Sequence, residues 1–161
     1  FIFSVIMTIS FREDEKYVLE KIQSYCHYQE RCIKEVRNKL FSLKATNKTV
    51  DKILQSLIDN DYLNEDRYAR MFIQGKLRIK KWGRIKLKYE LRLKGLDINI
   101  IDDNINKIKE EEYIQYFNEF STNKIKFLKG TKEQKKRSFI NYFTYRGWEN
   151  SLIYQKLNQI N

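Results

Sequence analysis

The chain of 161 residues has no proline, five glycines, two cysteines and one histidine. Without proline nothing forces a helix to break, and so few glycines allow few left-handed turns. Leu, Ile, Lys and Glu are abundant instead, which favours long helices. The Ile, Tyr and Phe content would also suit strands, but the apolar spacing below is helical, and the chain reads as all-α.

The cysteines are as uninformative for chemistry as they are few. Cys26 and Cys32 stand six residues apart in a helical segment. Positions i and i+6 do not share a helix face, so a bond between them is not expected, and no C-x-x-C metal pair exists. Two reduced thiols in a cytoplasmic protein are the expected state. His27 alone cannot make a metal site, and no Ser, His and acid cluster is present. No catalytic residue, cofactor or metal is therefore assigned, and an enzyme is not expected.

Long apolar runs are scarce too. The opening FIFSVIMTISF falls short of the roughly 20 residues a membrane-spanning helix needs, and it lacks the basic leader of a signal peptide. No membrane role is expected. The first methionine is Met7, which leaves residues 1–6 either upstream of the natural start or part of an unusual initiation.

With 42% hydrophobic and 33% charged residues the composition is that of a folded chain. Its net charge of +11 points to an acidic partner: nucleic acid, an anionic membrane face or an acidic protein surface.

Apolar residues recur at helical spacing from Glu13 to about Lys44, and a run that long should break, with one helix ending near Tyr28 and another spanning about Glu30 to Leu43. Val50, Ile53, Leu54, Leu57 and Ile58 predict a third helix capped by Thr46 or Asn47 and ended by Asn60 and Asp61. Asn64 then caps a fourth, with Glu65 and Asp66 at its positive end. After Trp82-Gly83 a basic helix runs to Gly95, and another is expected from about Glu110 to Leu128. Gly83 reads as permitting a sharp reversal into the basic helix. Trp82 reads as a packed aromatic at a helix junction, with stacking on a base or covering a partner's apolar patch as the alternatives.

Sliding the chain along itself reveals repetition. Val36, Leu40, Val50, Leu54 and Leu57 map 51 residues on to Leu87, Leu91, Ile101, Ile105 and Ile108, and 52 further to Phe139, Phe143, Ile153, Leu157 and Ile160. The turns fall in register as well: Lys44-Ala45, Gly95-Leu96 and Gly147-Trp148. A glycine just past a helix closes it in the left-handed conformation, so Lys44 should be strained or its turn should differ. The organisation read from this is an N-terminal segment and leading helix (1–28), repeat 1 (29–81), repeat 2 (82–130) and a C-terminally short repeat 3 (131–161).

Charge follows the repeats in blocks. From Lys76 to Lys94 there are nine basic residues against Glu90; residues 97–119 hold seven acids against Lys107 and Lys109; residues 124–137 hold seven basic residues against Glu133. Arg84, Lys88 and Arg92 lie at i, i+4 and i+8 and form one stripe, with Leu87 and Leu91 on one side and Ile85, Tyr89 and Leu93 on the other. A solvated face would explain most single lysines. The block as a whole reads as a binding surface, with Lys80, Lys81, Arg84, Lys88 and Arg92 as its centre and Lys135, Lys136 and Arg137 extending it.

Four pieces in order, Y-L-N-E-D-R-Y-A at Tyr62 to Ala69, K-W-G at Lys81 to Gly83, L-R-L-K-G-L at Leu91 to Leu96 and R-G-W at Arg146 to Trp148, resemble the RecX family of recombination regulators. The resemblance covers nearly all of the chain after about Glu13. It departs at Lys44, where a glycine would be typical, and in the apolar residues before Met7. It implies three tandem three-helix repeats in an elongated, curved array. It also implies a cytoplasmic, non-catalytic protein that binds the RecA recombinase filament on single-stranded DNA and restrains its strand exchange, ATP hydrolysis and co-protease activity in DNA repair and the SOS response; a monomer is expected. No catalytic or universal contact residue is carried over. The alternative is a stand-alone helical protein that binds single- or double-stranded DNA, against which the most basic helix precedes the turn while a recognition helix normally follows it.

Overall fold

Apolar residues at three- and four-residue spacing form helices throughout the computed structural model, which describes residues 10–160. The readings of the opening apolar run and of Met7 lie outside the described residues. The order is α1 (Glu13–Tyr28), α2 (Ile33–Ser42), α3 (Asn47–Asp59), α4 (Glu65–Gly75), a π-helical turn (Lys76–Lys80), α5 (Arg84–Leu93), α6 (Ile98–Asn106), α7 (Glu110–Lys126), α8 (Lys132–Tyr145), α9 (Asn150–Lys156) and a short 3₁₀ turn (Leu157–Gln159). The described residues contain no strand, and none of their helices is long and apolar enough to cross a membrane.

Local polar chemistry sets the helix ends. Thr46 Oγ1 accepts from the Thr49 amide at 3.3 Å, Asn64 Oδ1 from the Arg67 amide at 2.9 Å and Asp97 Oδ1 from the Asn99 amide at 2.8 Å. Each satisfies an amide that the helix itself leaves without a partner. α2 starts later than expected, at Ile33, because Cys32 takes the capping position and Glu35 reaches back to its amide. Glu110, Glu111 and Glu112 stand in the first turn of α7, where the helix dipole favours negative charge.

The three repeated turns share one backbone path. Lys44, Gly95 and Gly147 have φ of 60°, 83° and 76°. In each case the next amide reaches the carbonyl five residues back: Ala45 to Leu40 at 3.2 Å, Leu96 to Leu91 at 3.3 Å and Trp148 to Phe143 at 3.1 Å. Lys44 thus adopts the glycine geometry with a Cβ, at an expense of roughly 1 kcal/mol. All the repeated apolar positions are buried except Ile108 and Leu157, which are half-buried.

The chain divides into two compact units, with the boundary between Tyr68 and Ala69. In the first, α1, α2 and α3 pack around Ile22, Cys26, Val36, Leu40, Val50, Ile53 and Leu57, an aliphatic core. A carboxylate is buried at its edge: Glu15 accepts from Lys52 Nζ at 2.7 Å, the Arg12 amide at 2.9 Å and Thr49 Oγ1 at 3.3 Å. Both cysteines are buried, and burial pushes the Cys26 thiol up to about 11. The second unit adds rings to Leu87, Leu91 and Ile101. Trp148 stacks on Tyr113 at 4.6 Å between centroids and lies 5.2 Å from Phe117, which meets Phe143 edge-on at 5.2 Å.

Candidate functional site

The basic block is built on α5, and α5 is anchored at its N-terminus by groups distant in sequence. The Gly83 amide donates to Arg146 O at 2.8 Å, the Arg84 amide to Tyr113 Oη at 2.9 Å and the Ile85 amide to Gly147 O at 3.1 Å. These amides have no partner within their own helix. With all three engaged by protein, this helix end is not open to an anion. Tyr113 in turn donates to Glu149 Oε2 at 2.7 Å, and burial raises its hydroxyl pKa far above the ordinary range.

Gly83 does not serve the reversal expected of it. Its φ of −81° suits any residue, and the left-handed step is made by Lys81 at φ 57°. What requires glycine is proximity: a Cβ on Gly83 would lie 2.3 Å from Gly147 O, and one on Gly147 would lie 2.2 Å from the Lys86 amide nitrogen. Two backbones pass where no side chain fits. Trp82 is half-buried beside Phe72, with centroids 6.2 Å apart, and the ammonium groups of Lys86 and Lys76 lie 5.0 and 5.4 Å from its ring. The fully buried indole at this junction is Trp148, which donates to Lys81 O at 2.9 Å.

The candidate contact residues fall into distinct environments. Lys80 and Arg92 are exposed, and Lys81 is half-buried with its ammonium 5.2 Å from the Phe120 ring centroid. Arg84 is engaged: its Nη2 lies 2.7 Å from Glu110 Oε2 and its guanidinium 3.9 Å over the Tyr113 ring. Lys88 Nζ lies 2.7 Å from Asp102 Oδ1. The i, i+4, i+8 stripe therefore carries two ion pairs and one exposed guanidinium.

On α8, Lys135 and Lys136 are half-buried and Arg137 is exposed. They precede Tyr145 by eight to ten residues, roughly 12–15 Å along the helix. It is the other end of α8 that meets α5, where Lys86 Nζ donates to Tyr145 O at 3.3 Å and sits 4.0 Å over the Tyr145 ring. The two basic groups are thus separate clusters on one unit. Lys86 was absent from the expected set, although its place inside the basic block was a signal for it. Beside α5 a cleft of about 640 Å³ is lined by Arg84, Ile85, Lys88, Ile105, Ile108 and Glu110, among others.

Comparison with known proteins finds likenesses to these elements. Residues 64–103, from α4 into α6, match the profile of the RecX second three-helix domain. The regulatory protein RecX of Prosthecochloris aestuarii is 29% identical over 147 residues, covering 91% of this chain and 95% of its own length. The chain is thus similar, along nearly its whole length, to a protein named regulatory protein RecX. The regulatory protein RecX of Clostridium acetobutylicum is likewise 29% identical over 155 residues, covering 92% of this chain and 72% of its own. Among solved structures, a crystal structure of regulatory protein RecX aligns with TM-score 0.80 at 17% identity, over 91% of this chain and 74% of that one. The crystal structure of RecX from Lactobacillus salivarius aligns with TM-score 0.76 at 22% identity, over 92% of this chain and 97% of that one. At those identities the RecX structures establish the all-helical fold.

Proposed function

We propose that this chain is a RecX-family protein, a non-catalytic regulator that binds the RecA recombinase filament on single-stranded DNA and inhibits its recombinase, ATPase and co-protease activities. Similarity along nearly the whole chain to relatives named regulatory protein RecX supports the reading. The protein acts in the cytoplasm as a monomer. A net charge of +11 suits a nucleoprotein target, because both DNA phosphates and acidic protein surfaces attract cations. Lys80, Lys81, Arg84, Lys88 and Arg92 form the central contact, and Lys135, Lys136 and Arg137 a second one. Exposed Lys80, Arg92 and Arg137 reach the target without rearrangement, whereas Arg84 and Lys88 must first exchange Glu110 and Asp102 for it.

The test measures the DNA-dependent ATPase of RecA with and without the protein, beside DNA binding alone across a salt series. Inhibition at concentrations too low for binding to free DNA is the expected result. Tight DNA binding with no effect on RecA would instead make this a stand-alone DNA-binding protein. Charge reversal at Arg84, Lys88 and Arg92 should weaken inhibition; unchanged inhibition by a folded variant would remove these residues from the contact.

A further inference from the structure

α5 carries apolar side chains on two opposite sides. Leu87 and Leu91 are fully buried against the core, as one face of a surface helix should be. On the far side, where polar residues are the rule, Ile85, Tyr89 and Leu93 are 56%, 59% and 52% exposed. They stand at i, i+4 and i+8 and so form a continuous stripe about 12 Å long. Exposed apolar residues scattered singly need no explanation, but an aligned set does. Cations edge the stripe, with exposed Arg92 on one side and half-buried Lys86 on the other. At its N-terminal end Ile85 opens onto the cleft shared with Ile105 and Ile108, which Arg84, Lys88 and Lys109 line together with Glu110 and Glu149.

We infer that the outer face of α5 docks an acidic amphipathic helix of a protein partner, with Ile85, Tyr89 and Leu93 taking its apolar side and Lys86 and Arg92 its carboxylates. A helix laid along this stripe meets apolar anchors at its own spacing, the usual mode by which one helix recognises another. Nucleic acid fits worse. Phosphates gain nothing from aliphatic side chains, and base stacking needs ring faces that Ile85 and Leu93 do not have. A second copy fits worse as well, because a symmetric contact would bring Lys86 and Arg92 of one chain against the same cations of the other. The inference goes beyond the recombinase reading, since it concerns the chemistry of the docking segment and is tested without that protein.

The probe is a labelled synthetic peptide of leucine and glutamate, with leucine at i, i+3, i+4 and i+7, followed by fluorescence anisotropy against the full chain. A scrambled peptide of equal composition and a single-stranded oligonucleotide serve as comparators. The helical peptide should bind roughly tenfold more tightly than the scrambled one, the scale set by a few apolar anchors. The double variant Ile85→Ser and Leu93→Ser should abolish that difference while its thermal midpoint and its oligonucleotide affinity stay unchanged. Lys86→Glu with Arg92→Glu should weaken both peptides. Equal binding of the two peptides, or no effect of the serine variant, would overturn the inference. So would a loss of oligonucleotide binding in the serine variant, which marks a nucleic-acid face, or a monomer–dimer equilibrium in sedimentation that the variant abolishes, which marks a second copy.

Discussion

At Lys44 and at Gly147 the chain takes the same left-handed step, with φ of 60° and 76°, and the following amide makes the same bond to the carbonyl five residues back. What the step serves differs. After Lys44 comes Ala45, half-buried over an aliphatic core; after Gly147 comes Trp148, 1% exposed and in contact with the rings of Tyr113, Phe117 and Phe120. The first turn closes a helix. The last closes a helix and also supplies Arg146 O and Gly147 O to the start of α5. One backbone solution can therefore be a local cap at one turn and a long-range joint at another.

Substituting the joint should have the larger effect. In Gly147→Ala the new Cβ is strained by φ and would lie 2.2 Å from the Lys86 amide nitrogen, so the backbones must separate. Together these should destabilise by about 3 kcal/mol or more, lowering the melting midpoint by roughly 10 °C. Hydrogen exchange should show faster exchange of the Gly83 and Ile85 amides, whose acceptors are Arg146 O and Gly147 O. Unchanged exchange at those two amides would mean that the turn is only a cap.

Tyr113 and Tyr62 occupy matching positions 51 residues apart, and they sharpen the contrast. Tyr113 is fully buried and its hydroxyl links the Arg84 amide to Glu149, whereas Tyr62 is 38% exposed. Tyr113→Phe should destabilise by about 1–3 kcal/mol, because it leaves a buried amide without an acceptor. Tyr62→Phe should change stability by no more than about 0.5 kcal/mol. Urea denaturation of the two variants measures both.

The first unit has its own polar fixture, and it should respond to acid. Hydrogen bonds from Lys52 and from the Arg12 amide hold the Glu15 carboxyl at about 2, below its ordinary 4.5. A carboxylate with a lowered folded pKa contributes stability above its unfolded pKa and loses that contribution as it protonates. The chain should therefore lose stability as pH falls from about 4.5 towards 2, and Glu15→Gln should show a flatter decline over that window. Thermal midpoints measured at successive pH values provide the check. Equal slopes in the two proteins would take Glu15 out of the acid response.

Much of this was legible in the residues, and the limits of legibility have physical causes. Helix positions followed from apolar spacing and from short-range capping by Thr46 and Asn64, which act within a few residues. The register of Lys44 with Gly95 and Gly147 left two outcomes, a strained lysine or a different turn, and the backbone takes the first. The purpose of Gly83 was not legible, because the backbone it makes room for is 64 residues away. The Arg84–Glu110 and Lys88–Asp102 pairs were hidden for the same reason: charge blocks reveal which segments attract, but only packing decides which residues meet. The spacing of Ile85, Tyr89 and Leu93 was plain, yet which of the two apolar sides of α5 faces solvent depends on where α5 sits.

The smallest effect expected from these comparisons has the opposite sign. Lys44 is 60° into the left-handed region without any long-range contact comparable to that of Gly147, and its side chain is exposed. Lys44→Gly relieves the Cβ strain, worth roughly 1–2 kcal/mol, but adds freedom to the unfolded chain, which offsets roughly 0.5–1 kcal/mol of it. The variant should gain about 1 kcal/mol, read as a rise of roughly 2–4 °C in the melting midpoint. If Lys44→Gly instead lost stability, the lysine would be holding this turn through its side chain, and the first turn could no longer be regarded as a local cap.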